Sequence, residues 1–166
     1  MAKAKPKPAQ GFDLLPMQTP KNSTELERHF TAWLLDGGDD SRAAQAKRTG
    51  EFLSRAWPDD VTALLETQKT ISSLLAWTNA QLADVGDFVR LAEGIFSEEA
   101  LKDKSIMKLG TTHANRMIAM WSSPYLRAQK SLERLSATAT HQLDGIRTQI
   151  STLRELARLD GSQAKG

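Results

Sequence analysis

Three histidines, His29, His113 and His141, are the chain's entire supply of imidazole, and there is no cysteine. Without thiols there are no disulfides, thiolate nucleophiles, Cys-based zinc sites or iron–sulfur clusters. None of the histidines belongs to an HExxH pair, and helical periodicity puts them on three different helices. His113 falls on an apolar stripe and reads as a partly buried, hydrogen-bonded residue; His29 and His141 read as helix-surface residues. The acidic run "DGGDDSR" at 36–42 gathers carboxylates near two glycines, as a hard cation would require. It lacks the twelve-residue EF-hand spacing and the closing Glu, so it reads as an inter-helix turn whose Asp residues cap the next helix. The neighbours Asp59 and Asp60 cannot face each other across a substrate, as glycosidase carboxylates do, and also read as caps. Neither GxGxxG nor GxxxxGK[ST] occurs. No catalytic residue, metal site or cofactor is expected, and the chain does not read as an enzyme.

Basic residues carry a second kind of chemistry. Lys3, Lys5 and Lys7 stand in a proline-rich N-terminal arm, and Arg127, Lys130 and Arg134 lie within two turns of each other near the start of the last helix. Either set could touch phosphates. Against this, the net charge is only +2 and no recognised DNA-reading motif is present. The arm has no apolar core after its lysines and is not a secretory signal. No run reaches the ~18–20 apolar residues that span a bilayer. With 40% hydrophobic and 25% charged residues, the composition is that of a soluble chain, and the expected location is the cytoplasm.

The elements that would hold these residues are all helical. Residues 1–21 predict a disordered basic tail. Asn22 and Glu25 at capping-box spacing, with Ser23 as a rival cap, start a helix whose stripe is Leu26, Phe30, Trp33 and Leu34. Gly37 and Gly38 stop it. A second helix is predicted over 41–57 and is closed by Pro58. A third begins after an Asp cap at 59–60 and carries two heptad columns: Val61, Gln68, Leu75, Leu82, Val89 and Leu64, Ile71, Thr78, Val85, Ala92. Eight of these ten positions are apolar, and Gly94 is the expected end. Ser97 is expected to cap a fourth helix, with Phe96 and Leu101 as its staple, running to about Trp121. Ser123-Pro124 then predicts a restart. The fifth helix has the seam Leu132, Ala139, Ile146, Leu153 with Ser136, Leu143, Ile150, Ala157. Residues 59–93 hold six acids and two bases, whereas 125–160 hold six bases and four acids, a complement that favours pairing of the two rods.

The fold class is therefore all-α: long amphipathic helices in an antiparallel bundle or coiled coil, within one chain or between copies, behind a disordered basic tail. The organisation read from the chain is a tail at 1–21, two short helices at 22–58, and a bundle of two long heptad helices and one intermediate helix at 59–160.

Within 60–158, the stretches "LLETQKTISSLLAWTNAQLADVGDFVRLAEG", "EEALKDKSIMKLGTTHANRM" and "SLERLSATATHQLDGIRTQISTLRELA" resemble a phasin. Phasins coat intracellular polyhydroxyalkanoate granules in bacteria. The resemblance implies a non-catalytic, self-associating helical protein on a hydrophobic granule surface. An amphipathic helix can turn its apolar stripe from a bundle partner to such a surface. The residues expected to make the contact are Leu75, Leu82, Val85, Phe88 and Val89 on the third helix, with Met117, Met120 and Trp121. Two alternatives stay open: a coiled-coil accessory protein for DNA, of plasmid partition or transfer type, using the basic residues above, and a structural or chaperone-like binder that takes a partner helix in a groove.

Overall fold

The computed structural model describes residues 19–163. The expected tail, with Lys3, Lys5 and Lys7, lies outside the described residues up to position 18; from there Thr19 to Lys21 lead into the first helix with Pro20 buried. The described residues form helices α1 (Ser23–Leu35), α2 (Arg42–Leu53), α3 (Val61–Lys102), α4 (Lys104–Lys108) and α5 (Thr111–Gln163), with no strand among them. The all-α bundle is thus the architecture of this protein. At 1.5 Å per residue α3 is about 63 Å long and α5 about 80 Å.

α3 and α5 form an antiparallel hairpin, and α1 with α2 makes a third leg along it. α1 begins beside the far end of α3, where the Ser23 amide donates to Glu99 Oε1 at 2.8 Å, and descends past Asp84, which accepts from Trp33 Nε1 at 3.3 Å. α2 continues in the same direction along α5: Gln142 Nε2 donates to Leu53 O at 2.7 Å, and Gln149 Nε2 to Pro58 O at 3.4 Å. The result is an up-down-up three-helix bundle whose first leg is broken. The break is at Gly37 (φ 99°) and Gly38 (φ 56°), left-handed conformations that favour glycine. The 22–58 stretch and the hairpin share one core.

Two of the first three helices start at the expected caps. Asn22 accepts from Glu25 N at 2.9 Å, while the Glu25 carboxylate accepts from the Lys21 amide at 2.8 Å. Asn22, not Ser23, is therefore the cap. Ser41, not an Asp of the 36–40 run as expected, caps α2, its hydroxyl accepting from Ala44 N at 3.3 Å; Asp60 caps α3 as expected, accepting from Ala63 N at 2.8 Å. The column Leu64, Ile71, Thr78, Val85, Ala92 is buried along its whole length. Thr78 returns its hydroxyl to Leu74 O at 2.8 Å, so its place in the seam leaves no unsatisfied polar atom. Of the other column only Val89 is fully buried. The acidic and basic rods do pair, but no ion pair links α3 to α5 among the described residues; the direct polar link between them is Ser136 Oγ donating to Asn79 Oδ1 at 2.8 Å. Charge complement acts at most as a diffuse bias, and apolar burial makes the contact.

Four boundaries differ from expectation. α2 ends at Leu53, four residues short of Trp57, because Trp57 leaves the helix to lie over Gly145 and donate its Nε1 to Gln142 Oε1. α3 does not stop at Gly94 but runs to Lys102. A helical glycine costs about 1 kcal/mol, and the burial of Ala92, Phe96 and Ala100 around it outweighs that. Ser97 is accordingly inside a helix and caps nothing. The chain does not restart at Ser123-Pro124 either: Pro124 lies inside α5. Proline removes one backbone bond at a cost of about 3 kcal/mol, but Met120, whose carbonyl loses its donor, and Pro124 are both exposed. Ser122 and Tyr125 beside them are buried and hold the helix on course. The real joint is at 103–110. Asp103 ends α3 and caps α4, accepting at one oxygen from the Ser105 and Ile106 amides, and Gly110 (φ 87°) turns the chain into α5.

Candidate contact surface

The core changes character along the bundle. Near the start of α3 it is aliphatic: Leu53, Leu64, Ile71, Ala139, Leu143, Ile146 and Ile150 are buried together. Near the end of α3 it is aromatic. Phe30 stands 5.3 Å from Phe88 and 4.7 Å from Tyr125 between ring centroids, Trp33 lies 5.5 Å from Phe88, and Phe96 contacts both Trp121 and Tyr125. These rings meet at angles from tilted to edge-on, and open space lies at their margins.

That space opens to the surface as grooves on both sides of α1. Between α1 and α5 a groove of ≈ 630 Å³ is lined by Phe30, Leu34, Leu35, Met120, Trp121, Pro124 and Tyr125, with Glu27 and Glu99 at its rim. A second groove, of ≈ 370 Å³, shares Phe30, Leu34 and Pro124 with it and is also lined by Trp33, Trp77, Ala128 and Leu132, with Arg42 and Arg127. The Arg42 guanidinium sits 5.1 Å over the Trp33 ring, and its Nη1 donates to Trp33 O at 2.8 Å. On the α3 side a third groove, of ≈ 490 Å³, is lined by Pro20, His29, Trp33, Phe88 and Leu91. Tyr125 is the chain's one tyrosine; burial, and then the nearby Glu27 charge, push its hydroxyl pKa up.

The expected contact residues divide. Val85, Phe88 and Val89 are buried in the core, with Val85 at 0% exposure, and in this fold they present nothing to a surface. They pack inward with Phe30 and Trp33 of α1 and Tyr125 and Leu132 of α5. Leu75, Leu82, Met117 and Trp121 are half-buried, and Met120 is 59% exposed. Met120 and Trp121 are brought together on the wall of the large groove; Leu75 lies far off, packed against the aliphatic core. Sequence reasoning missed Leu34, Leu35 and Pro124. Leu34 and Leu35 follow Trp33 at the end of α1, and a double leucine beyond the buried stripe was the available signal.

Arg127, Lys130 and Arg134 are all exposed, on one side of α5 at helical spacing, and none makes an ion pair among the described residues. His113, expected to be partly buried, is exposed, because the inward face at the start of α5 is carried by Ala114, Ile118 and Trp121. His29 is half-buried, and its Nδ1 and Ser122 Oγ are buried without hydrogen-bond partners among the described residues. The "DGGDDSR" run forms a 3-10 turn over Gly38–Asp40, with Asp40 paired to Arg48 at 3.2 Å. No three His, Cys, Asp or Glu side chains meet in a metal-holding group, and no helix is long and apolar enough to cross a membrane, among the described residues.

No protein-family model matches the chain, no curated protein matches it, and no solved structure matches it.

Proposed function

We propose that this is a non-catalytic, self-associating helical protein that binds an apolar surface or partner through the aromatic end of its bundle, in the manner of a phasin-like coat on a polyester granule. One observation carries the reading. Two adjoining grooves between α1 and α5 share Phe30, Leu34 and Pro124, and Leu35 and Met120, on the wall of the larger, are more than half exposed. Exposed apolar side chains around a concave apolar floor are what an apolar ligand phase or a partner helix requires.

The test is binding of the purified protein to uncharged polyester or triacylglycerol particles, with cell fractionation beside it. Binding that survives high salt, and a Leu35→Ser, Met120→Ser variant that loses at least tenfold in affinity while unfolding at the wild-type temperature, is the expected result. Failure of the wild type to bind such particles at any salt overturns the reading.

The exposed row Arg127, Lys130, Arg134 favours a second reading, as an accessory protein on DNA. That reading requires binding to duplex DNA that falls steeply as salt rises. It is lost if no binding occurs at low salt.

A further inference from the structure

The joint between α3 and α5 is a tip with its own chemistry. Every residue from 101 to 113 is exposed except Ile106. Ile106 is buried with Ala100 and Ala114 against Ile118 and Trp121, so the tip is anchored to the bundle as a rigid cap. Around that anchor stand Leu101 (68% exposed), Met107 (45%) and Leu109 (63%), three large apolar side chains in the space of nine residues. The four such side chains elsewhere on the described surface fall in two pairs, Leu35 with Met120 on the large groove and Leu156 with Leu159 on α5, so the tip gathers the largest group.

Lysines alternate with these apolar side chains: Lys102, Lys104 and Lys108. The tip's one carboxylate, Asp103, is committed to its own backbone. It accepts from the Ser105 hydroxyl at 2.5 Å and from the Ser105 amide at 2.8 Å, and these bonds lower its pKa. Lys102 reaches back to Glu98 at 2.6 Å in an exposed pair, which holds it only weakly. Lys104 and Lys108 make no ion pair among the described residues.

Apolar side chains alone could be covered by a second copy of the chain, and lysines alone could meet any polyanion. Their interleaving at one end of the bundle, where Leu101 and Met107 line a shallow cavity of ≈ 200 Å³, fits a surface that is apolar beneath and negatively charged on top. Lysine stems lie along apolar material while the ammonium stays with the anionic groups, and each such lysine contributes roughly a fivefold gain in affinity near an anionic lipid surface. We propose that the tip seats the bundle end-on at an anionic phospholipid boundary, with Leu101, Met107 and Leu109 entering the acyl layer and Lys102, Lys104 and Lys108 on the headgroups. The assignment rests on the apolar-surface reading and names the chemistry of the boundary that covers it.

The experiment uses the full chain, whose lack of cysteine allows single labels. An environment-sensitive fluorophore is placed at Leu109→Cys and, separately, at the exposed mid-rod position Thr138→Cys. Each protein is mixed with phosphatidylcholine vesicles with and without phosphatidylglycerol, at low and high salt, and with the uncharged apolar particles. The expected result is at least tenfold stronger partitioning to the anionic vesicles, weakened severalfold by salt, with a blue shift at 109 and none at 138. A Leu101→Ser, Leu109→Ser variant should lose at least tenfold in partitioning while its thermal unfolding is unchanged, because both positions are exposed. Equal partitioning to neutral and anionic vesicles overturns the assignment, as does a 138 label that shifts as much as the 109 label. A 109 shift that grows with protein concentration in the absence of vesicles overturns it in favour of a second copy. Binding to uncharged particles with a silent 109 label removes the tip while the apolar-surface reading stands; failure on both kinds of particle removes both.

Discussion

Where α3 begins, Leu64, Ile71, Leu143 and Ile146 close on one another, and Trp57 lies over Gly145 as a lid on the aliphatic core. Where α3 stops, rings of Phe30, Phe88, Phe96 and Tyr125 meet at tilted and edge-on angles, and grooves lie on both sides of α1. The first end is closed over by Trp57, although Leu156 and Leu159 stand exposed beyond it on α5. The second is stabilised by large rings, yet keeps concave apolar surface and most of the exposed Leu and Met side chains. The difference teaches that one pair of heptad helices can be a strut at one end and a contact surface at the other. What changes between them is the third leg: aliphatic α2 with Trp57 beside the strut, aromatic α1 beside the contact end.

The largest effect that can break this comparison is a truncation in the filled end. Ile146 is fully buried there, and Ile146→Ala should cost about 3 kcal/mol in chemical denaturation, since the closed surroundings cannot collapse onto the void. Met120→Ala at the contact end should stay within about 0.5 kcal/mol of wild type. Similar losses at both sites would mean that the aromatic end is as tightly filled as the aliphatic one.

Two glycines sharpen it further, with opposite signs. A Cβ at Gly145 would overlap the Trp57 ring, so Gly145→Ala should destabilise by about 2 kcal/mol despite alanine's better helix propensity. Gly94, in the same kind of helix interior, has nothing within 4 Å of the added atom. Gly94→Ala should therefore stabilise by about 0.5–1 kcal/mol. Paired thermal melts decide both, and a gain at 145 would show that Trp57 does not lock the filled end.

The smallest effect is electrostatic. Burial and the Glu27 charge raise the Tyr125 pKa in the folded state, so the unfolded chain ionises its tyrosine first, near pH 10. The stability that comes from keeping this hydroxyl neutral is complete below pH 10 and is lost as pH rises above it. Absorbance at 295 nm follows this single tyrosine directly. A midpoint above 10 in the folded protein, and a flatter high-pH stability profile in Tyr125→Phe, are expected; a midpoint at 10 would place the ring in water.

The sequence made the strut legible and the contact end less so. The column Leu64, Ile71, Thr78, Val85, Ala92 is buried as its period requires, because a seam of i and i+7 positions faces one partner wherever the helix goes. The helix ends were harder to read. Gly94 and Ser123-Pro124 are local stop signals worth about 1–3 kcal/mol, and burial of Phe96, Ala100 and Tyr125 overrides them. Once α3 and α5 lengthen, the joint moves to 103–110, and the stretch that looked like a turn at Pro124 becomes the wall of a groove. Val85, Phe88 and Val89, expected to meet a surface, are buried in this fold, because a heptad stripe does not state how many helices share it. The third leg, α1, covers them, and only the meeting of Phe30 and Trp33 with Phe88 in three dimensions reveals it.

Hydrogen exchange of the protein free and bound to uncharged apolar particles tests the central claim most directly, because it reads both ends in one experiment. If the aromatic end is the contact surface, binding changes exchange in α1, in residues 99–125 and at the α4 joint, and leaves residues 61–75 and 139–153 as they were. Changes confined to those last two stretches, or spread evenly along α3 and α5, would contradict it.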